Sequence, residues 1–159
     1  MRWMTIAAAV LLLPACSEKH DPAQDARDIA QVEAMQKAKP PAKPISPQPM
    51  AYMEISQNKL YGAGCNFVPD GGGLGAIVLA QHDRAFLKLD GKIVTLASDA
   101  GSTKMPQGSW SRYSGREHAL TLTRVGEGEG DAFVGRVVIT DPYDQVVYQA
   151  RGTVQCKGG

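Results

Sequence analysis

The side chains able to do chemistry in this chain are few and widely spaced. Its histidines are His20, His82 and His118, and its cysteines are Cys16, Cys65 and Cys156. Neither a Gly-x-Ser-x-Gly elbow nor a His-Glu-x-x-His pair occurs. The Gly71-Gly72-Gly73 run lacks the lysine and hydroxyl residue that complete a phosphate-binding loop. Asp70, Asp83, Asp90, Asp99, Asp131, Asp141 and Asp144 all stand beside turn signals, where a short acidic side chain bonds its own backbone. Neither Cys65 nor Cys156 sits in a Cys-x-x-Cys pair or beside a cluster of ligand residues, so no metal, redox couple or other cofactor is expected. The chain reads as a non-enzyme. A periplasmic enzyme of some other kind would need His82 or His118 to meet carboxylates in a cleft.

One stretch is different. Ser98 to Arg116 is the longest run of the C-terminal half without a clear strand pattern, and it gathers Trp110 and Tyr113 with Lys104, Arg112 and Arg116. Long loops on small rigid domains commonly carry binding, and tryptophan, tyrosine and arginine anchor interfaces. Gly101, Lys104, Trp110, Arg112, Tyr113 and Arg116 are therefore the candidate partner-binding residues. The alternative for Trp110 is that it fills one end of the fold.

These residues depend on elements set out in three blocks. The first 61 residues hold no glycine, whereas all 17 glycines lie between Gly62 and Gly159, and seven of the ten prolines precede Tyr52. Residues 1–15 open with Arg2, continue through the apolar run Ile6 to Leu13, and end at Pro14-Ala15. That order is an export signal, and its apolar run is too short to span a bilayer. The sequence Leu13-Pro14-Ala15-Cys16 resembles the lipobox of bacterial lipoproteins. The resemblance implies that Cys16 becomes the acylated first residue of the mature chain. Ser17 in the next position implies delivery to the outer membrane, facing the periplasm.

Residues 16–51 read as a tether. Asp21-Pro22 is a helix start, followed by a loose apolar stripe at Ala26, Ile29, Ala30 and Val32. From Lys39 to Pro49 the proline density favours polyproline II, a semi-rigid spacer of roughly 30 Å at about 3.1 Å per residue.

Residues 52–159 read as an all-β domain of seven or eight short antiparallel strands with no helix, a small barrel or a sandwich, the barrel being favoured. Asp90-Gly91 marks a hairpin between the runs ending at Leu89 and beginning at Ile93. In the last strand Val146, Tyr148, Ala150, Gly152, Val154 and Cys156 alternate with Val147, Gln149, Arg151, Thr153 and Gln155. That is one core face and one wet face.

With Cys16 assigned to lipid, Cys65 in the first strand and Cys156 in the last remain. An exported domain permits a disulfide between them, the alternative being two buried thiols. Seventeen basic against sixteen acidic residues give no electrostatic footprint for nucleic acid. The partners expected are a membrane, through the lipid, and a periplasmic protein.

Over residues 59–157 the domain resembles the lipoprotein inhibitors of C-type lysozyme. The resemblance rests on Tyr61-Gly-Ala-Gly-Cys65, Ala85 to Gly91, Ile93 to Leu96, Ala100-Gly101, Trp110 to Leu122, and Cys156. It implies a small barrel with a disulfide near the domain ends. The family's inhibitory loop carries serine-glycine and then a tyrosine. Here Gly101 matches, Ala100 stands for the serine and Lys104 for the tyrosine, so a lysozyme inhibitor using the 98–116 loop would be one of altered specificity.

Overall fold

The computed structural model describes residues 21–73, 75–126, 128 and 130–158. The expected export signal and the expected acylation site, Cys16, lie outside the described residues. Residues up to Lys39 and residues from Pro40 onward form separate compact units.

In the first unit, α1 (Pro22–Lys37) follows the expected helix start. The Asp21 side chain accepts the Ala23 N–H at 3.0 Å, proline occupies the first turn, and Asp25 and Lys37 lie at the ends that suit the helix dipole. The helix buries none of its side chains.

The second unit is a closed barrel. Its strands are β1 (Gly64–Pro69), β2 (Val78–Gln81), β3 (Arg84–Leu89), β4 (Lys92–Ser98), β5 (Arg112–Ser114), β6 (Ala119–Arg124), β7 (Ala132–Thr140) and β8 (Val146–Lys157). Each pairs antiparallel with its neighbour in sequence, and β1 pairs with β8. Closure removes the unpaired edges that so small a sheet would otherwise expose. At the β3–β4 turn, Asp90 (φ 48°) and Gly91 (φ 75°) are both left-handed, the two-residue geometry that matches strand twist.

Side chains sort by alternation. Phe67, Val78, Leu87, Leu96, Leu120, Leu122, Val137, Ile139 and Val154 fill the interior. Arg84, Arg112, Arg136, Arg151 and Gln155 are exposed. An apolar interior with charges on the wall is the reverse of a membrane-spanning barrel. Gly152 is set by close approach: a Cβ there would stand 2.1 Å from the Val68 carbonyl oxygen.

Cys65 and Cys156 are direct Cα partners across the β1–β8 seam and form a disulfide. The Cys156 N–H turns the other way, to the Asp131 carbonyl at 2.7 Å. The cysteines therefore form the closer, non-hydrogen-bonded kind of cross-strand pair. The bridge fastens the seam at which the barrel closes.

Three expectations need correction. The domain does contain a helix, α2 (Tyr52–Gln57). Leu79 and Phe86 point outward from β2 and β3, and Met50, Ile55 and Leu60 cover them as a second apolar cluster. Glu54 holds α2 in place: its carboxylate accepts the Ala51 N–H at 2.9 Å and pairs with Lys88. The Lys88 hydrogen bond and the Ala51 N–H keep that carboxyl below its ordinary range.

The second correction concerns β8, whose faces follow the expected alternation only from Tyr148 onward. Val147 is buried and Val146 exposed, because the register slips between Ile139 and Thr140 and leaves an extra residue on β8.

The third concerns the proline-rich segment, which is a strap on the barrel from Pro40 onward rather than a free spacer. The Ile45, Gln48 and Met50 N–H groups donate to the carbonyls of Val147, Lys88 and Ala76 at 3.0, 2.8 and 2.9 Å. Gln145 Nε2 donates to the Pro40 carbonyl at 2.9 Å, and Ile45 packs against the main core.

Candidate functional site

The 98–112 segment is an ordered hairpin between β4 and β5. Asp99 starts it, its Oδ1 accepting the Gly101 N–H at 3.0 Å and its carbonyl accepting the Ser102 N–H at 3.0 Å. The arms bond through Ser111 N–H to the Thr103 carbonyl at 2.9 Å and Met105 N–H to the Ser109 carbonyl at 2.9 Å, with Lys104 directly opposite Trp110. The tip is a 3-10 turn, Pro106–Gly108, with Gln107 left-handed at φ 56°. Gln107 Nε2 donates to Asp131 Oδ2 at 2.9 Å. Behind the tip, the buried Ser109 hydroxyl donates to the Pro106 carbonyl at 2.9 Å and lies 3.1 Å from Cys65 Sγ. The tip thus folds onto the disulfide end of the barrel.

The root of the hairpin is built from the two aromatic residues. Tyr113 is fully buried and Trp110 is 9% exposed. Tyr113 Oη accepts the Trp110 N–H at 2.8 Å and donates to the Gln81 carbonyl at 2.6 Å, while Trp110 Nε1 donates to the His82 carbonyl at 2.9 Å. Burial pushes the Tyr113 phenol up to about 12, a shift the Trp110 N–H partly opposes. These side chains close the end of the barrel and position the loop. Trp110 thus fills one end of the fold, and Tyr113 is buried beside it.

The other candidates are exposed. Lys104 projects from the hairpin with its Nζ 5.7 Å from the Trp110 ring centroid, and Gly101 lies in the exposed turn. Arg112 points outward from β5, opposite the buried Tyr113. Arg116 is exposed in the β5–β6 turn, at the other end of β5, so it does not join the hairpin group.

A strand of only three residues leaves openings on both sides. Beside β6, beyond the Arg112–Thr121 pair, a groove of about 420 Å³ runs between the hairpin and the strand. Its lining includes Lys104, Met105, Ser111, Thr121, Leu122 and Arg124. Sequence reasoning missed Arg124, because nothing short of the strand register places it across from Lys104. Arg124 stacks its guanidinium 3.8 Å over Phe133. With an apolar floor, hydroxyl walls and two cations, the groove suits an acidic surface.

Beside β4 a second cleft, of about 520 Å³, is lined by Ile45 of the strap, Asp90, Lys92, Val94, Glu117 and His118. His118 therefore does share a cleft with two carboxylates. Among the described residues no side-chain hydrogen bond orients it toward either. His82 lies at the opposite end, with its ring 6.4 Å from that of Trp110. Next to it the Arg84 guanidinium holds the Asp83 carboxyl below its usual range. Among the described residues no group of three histidine, cysteine or carboxylate side chains is placed to hold a metal.

Comparison with protein families, with curated proteins and with solved structures finds no match.

Proposed function

We propose that this chain is an exported, lipid-anchored envelope protein that works as a non-enzymatic binding module. In this reading Cys16 carries the acyl chains on the periplasmic face of the outer membrane, and the barrel presents the 98–112 hairpin to a protein partner. The observation that carries the proposal is the division of labour within that hairpin. Ser109 and Trp110 within it, and Tyr113 just after it, are buried and hydrogen-bonded against the end of the barrel, whereas Lys104 and Arg112 stand exposed on it. A loop held rigid before binding loses less conformational entropy when it binds, and its cations complement an acidic partner. Among the described residues no helix is long and apolar enough to cross a membrane, and acylation supplies an anchor without one.

The test is comparative capture from envelope extract with the full chain. The wild type and Lys59→Glu should retain the same partner, and the double variant Lys104→Glu/Arg112→Glu should lose it. Identical capture by all three, or no protein retained by any, overturns the proposal.

A second reading, inhibition of a C-type lysozyme, draws support from the eight-stranded barrel and its seam disulfide, which are what the family resemblance implies. Such an enzyme works with two carboxylates in a cleft, and Lys104 is the hairpin's charged group at the place of the family tyrosine. Titrating the full chain against lysozyme digesting cell wall decides it. Inhibition that Lys104→Ala weakens about tenfold, roughly 1.4 kcal/mol, supports this reading. No inhibition at about tens of micromolar rejects it.

A further inference from the structure

The outer wall of the barrel carries a second charged feature, on β7 and β8 rather than on the hairpin. Arg136 on β7 and Arg151 on β8 are direct Cα partners, and both side chains are exposed. The Arg151 carbonyl accepts the Asp70 N–H on the β1 side at 2.9 Å. Its backbone bonds therefore point away from β7, and the arginines form the closer kind of antiparallel pair, with Cα atoms about 4.5 Å apart. Like charges directly opposite each other oppose sheet pairing. Neither guanidinium is paired with a carboxylate among the described residues, Asp70 included. Between them lies a depression of about 330 Å³ lined by Arg136, Gln149, Ala150 and Arg151. On the other flank Thr123 of β6 stands directly opposite Arg136.

We propose that Arg136 and Arg151, facing each other across β7 and β8 beside Gln149, form a binding site for a phosphoryl dianion. Each guanidinium offers a planar fork of N–H donors. A carboxylate has two oxygens, and one fork engages both. A phosphoryl group has three terminal oxygens, enough to be shared between two forks with one left for an amide or hydroxyl donor. Its charge approaches two at neutral pH, which balances the arginine pair. The Gln149 amide supplies a neutral donor at the edge of the depression.

The probe is inorganic phosphate, titrated into the full chain at constant ionic strength while the arginine Nε–H resonances are followed by NMR. The expected result is a saturable, one-to-one shift confined to Arg136 and Arg151. Arg136→Gln and Arg151→Gln should each weaken it by about tenfold or more, while Arg27→Gln leaves it unchanged. Both sites are exposed, so the variants should keep the Cys65–Cys156 bridge and the wild-type near-UV spectrum, which verifies their folding. A second arm compares vesicles of phosphatidic acid with vesicles of phosphatidylcholine, using the mature chain (residues 16–159) with Cys16→Ser, so that neither the leader nor an acyl chain binds the bilayer. Sedimentation with the former alone, abolished by either glutamine variant, assigns the phosphoryl group to a lipid headgroup. Saturable phosphate binding without vesicle binding assigns it to a soluble phosphoester. No saturable shift up to about tens of millimolar phosphate, or a shift that survives both glutamine variants, overturns the proposal.

Discussion

The phenol of Tyr113 bonds the backbone of Trp110, accepting its N–H at 2.8 Å while donating to the Gln81 carbonyl at 2.6 Å. One buried hydroxyl thus ties the return arm of the hairpin to the end of β2. Tyr113→Phe keeps the ring and removes both bonds, leaving the buried Trp110 N–H without its partner. The expected loss is about 1–3 kcal/mol, read from urea denaturation. The phenol also gives the fold a pH dependence. Its folded pKa lies at about 12 against an ordinary 10, so the neutral form is favoured in the folded state. That contribution is fully present below pH 10 and is lost as pH rises toward 12. Tyr113→Phe should flatten this part of the stability profile.

The Cys65–Cys156 bridge closes a sequence separation of 91 residues. Its loss should cost roughly 2–5 kcal/mol. Non-reducing peptide mapping should recover the two cysteines in one linked species. The double variant Cys65→Ala/Cys156→Ala should denature at lower urea, because the β1–β8 seam then depends on its hydrogen bonds and packing alone.

Hydrogen exchange separates the docked strap from a free spacer. The Ile45, Gln48 and Met50 amides donate to barrel carbonyls and should exchange as slowly as those of the neighbouring strands. Exchange of all three at the rate of an unstructured peptide would mean that the strap is undocked.

The antiparallel strands were legible in the sequence because they follow from short-range pattern, and the bridge because few cysteines are available to pair; pattern alone leaves barrel against sandwich open, with the barrel favoured. Asp90-Gly91 sets a hairpin by its own backbone preference. The polar alternation after Tyr148 sets a one-sided strand, and of the three cysteines only Cys65 and Cys156 fall within the strand-rich half. What escaped depends on neighbours distant in sequence. The helix at Tyr52 exists to cover Leu79 and Phe86, whose outward direction is known only once β2 and β3 are in register. The strap was disguised by its prolines, which lack an N–H. Ile45 and Gln48 lie between them and Met50 follows the last; all three keep their N–H groups and donate them to the barrel. In the candidate loop, composition picked out Lys104 and Arg112 as exposed cations but could not separate them from Trp110 and Tyr113. Burial divides the group, and it depends on the fold around it.

The anchor has its own test. Mass spectrometry of the mature protein should find residues 1–15 removed and Cys16 acylated. Cys16→Ser should block acylation and normal anchoring. An unmodified Cys16 inside a retained leader would reject the lipid-anchored reading.

The most direct measurement of the central claim, partner binding through the hairpin, is site-specific photocrosslinking in intact cells. A photoreactive residue replaces Lys104 in one strain and Lys59 in another. The hairpin account predicts a discrete protein adduct from position 104 and none from position 59. Equal adducts from both positions, or none from position 104 with the chain folded and in place, would contradict it.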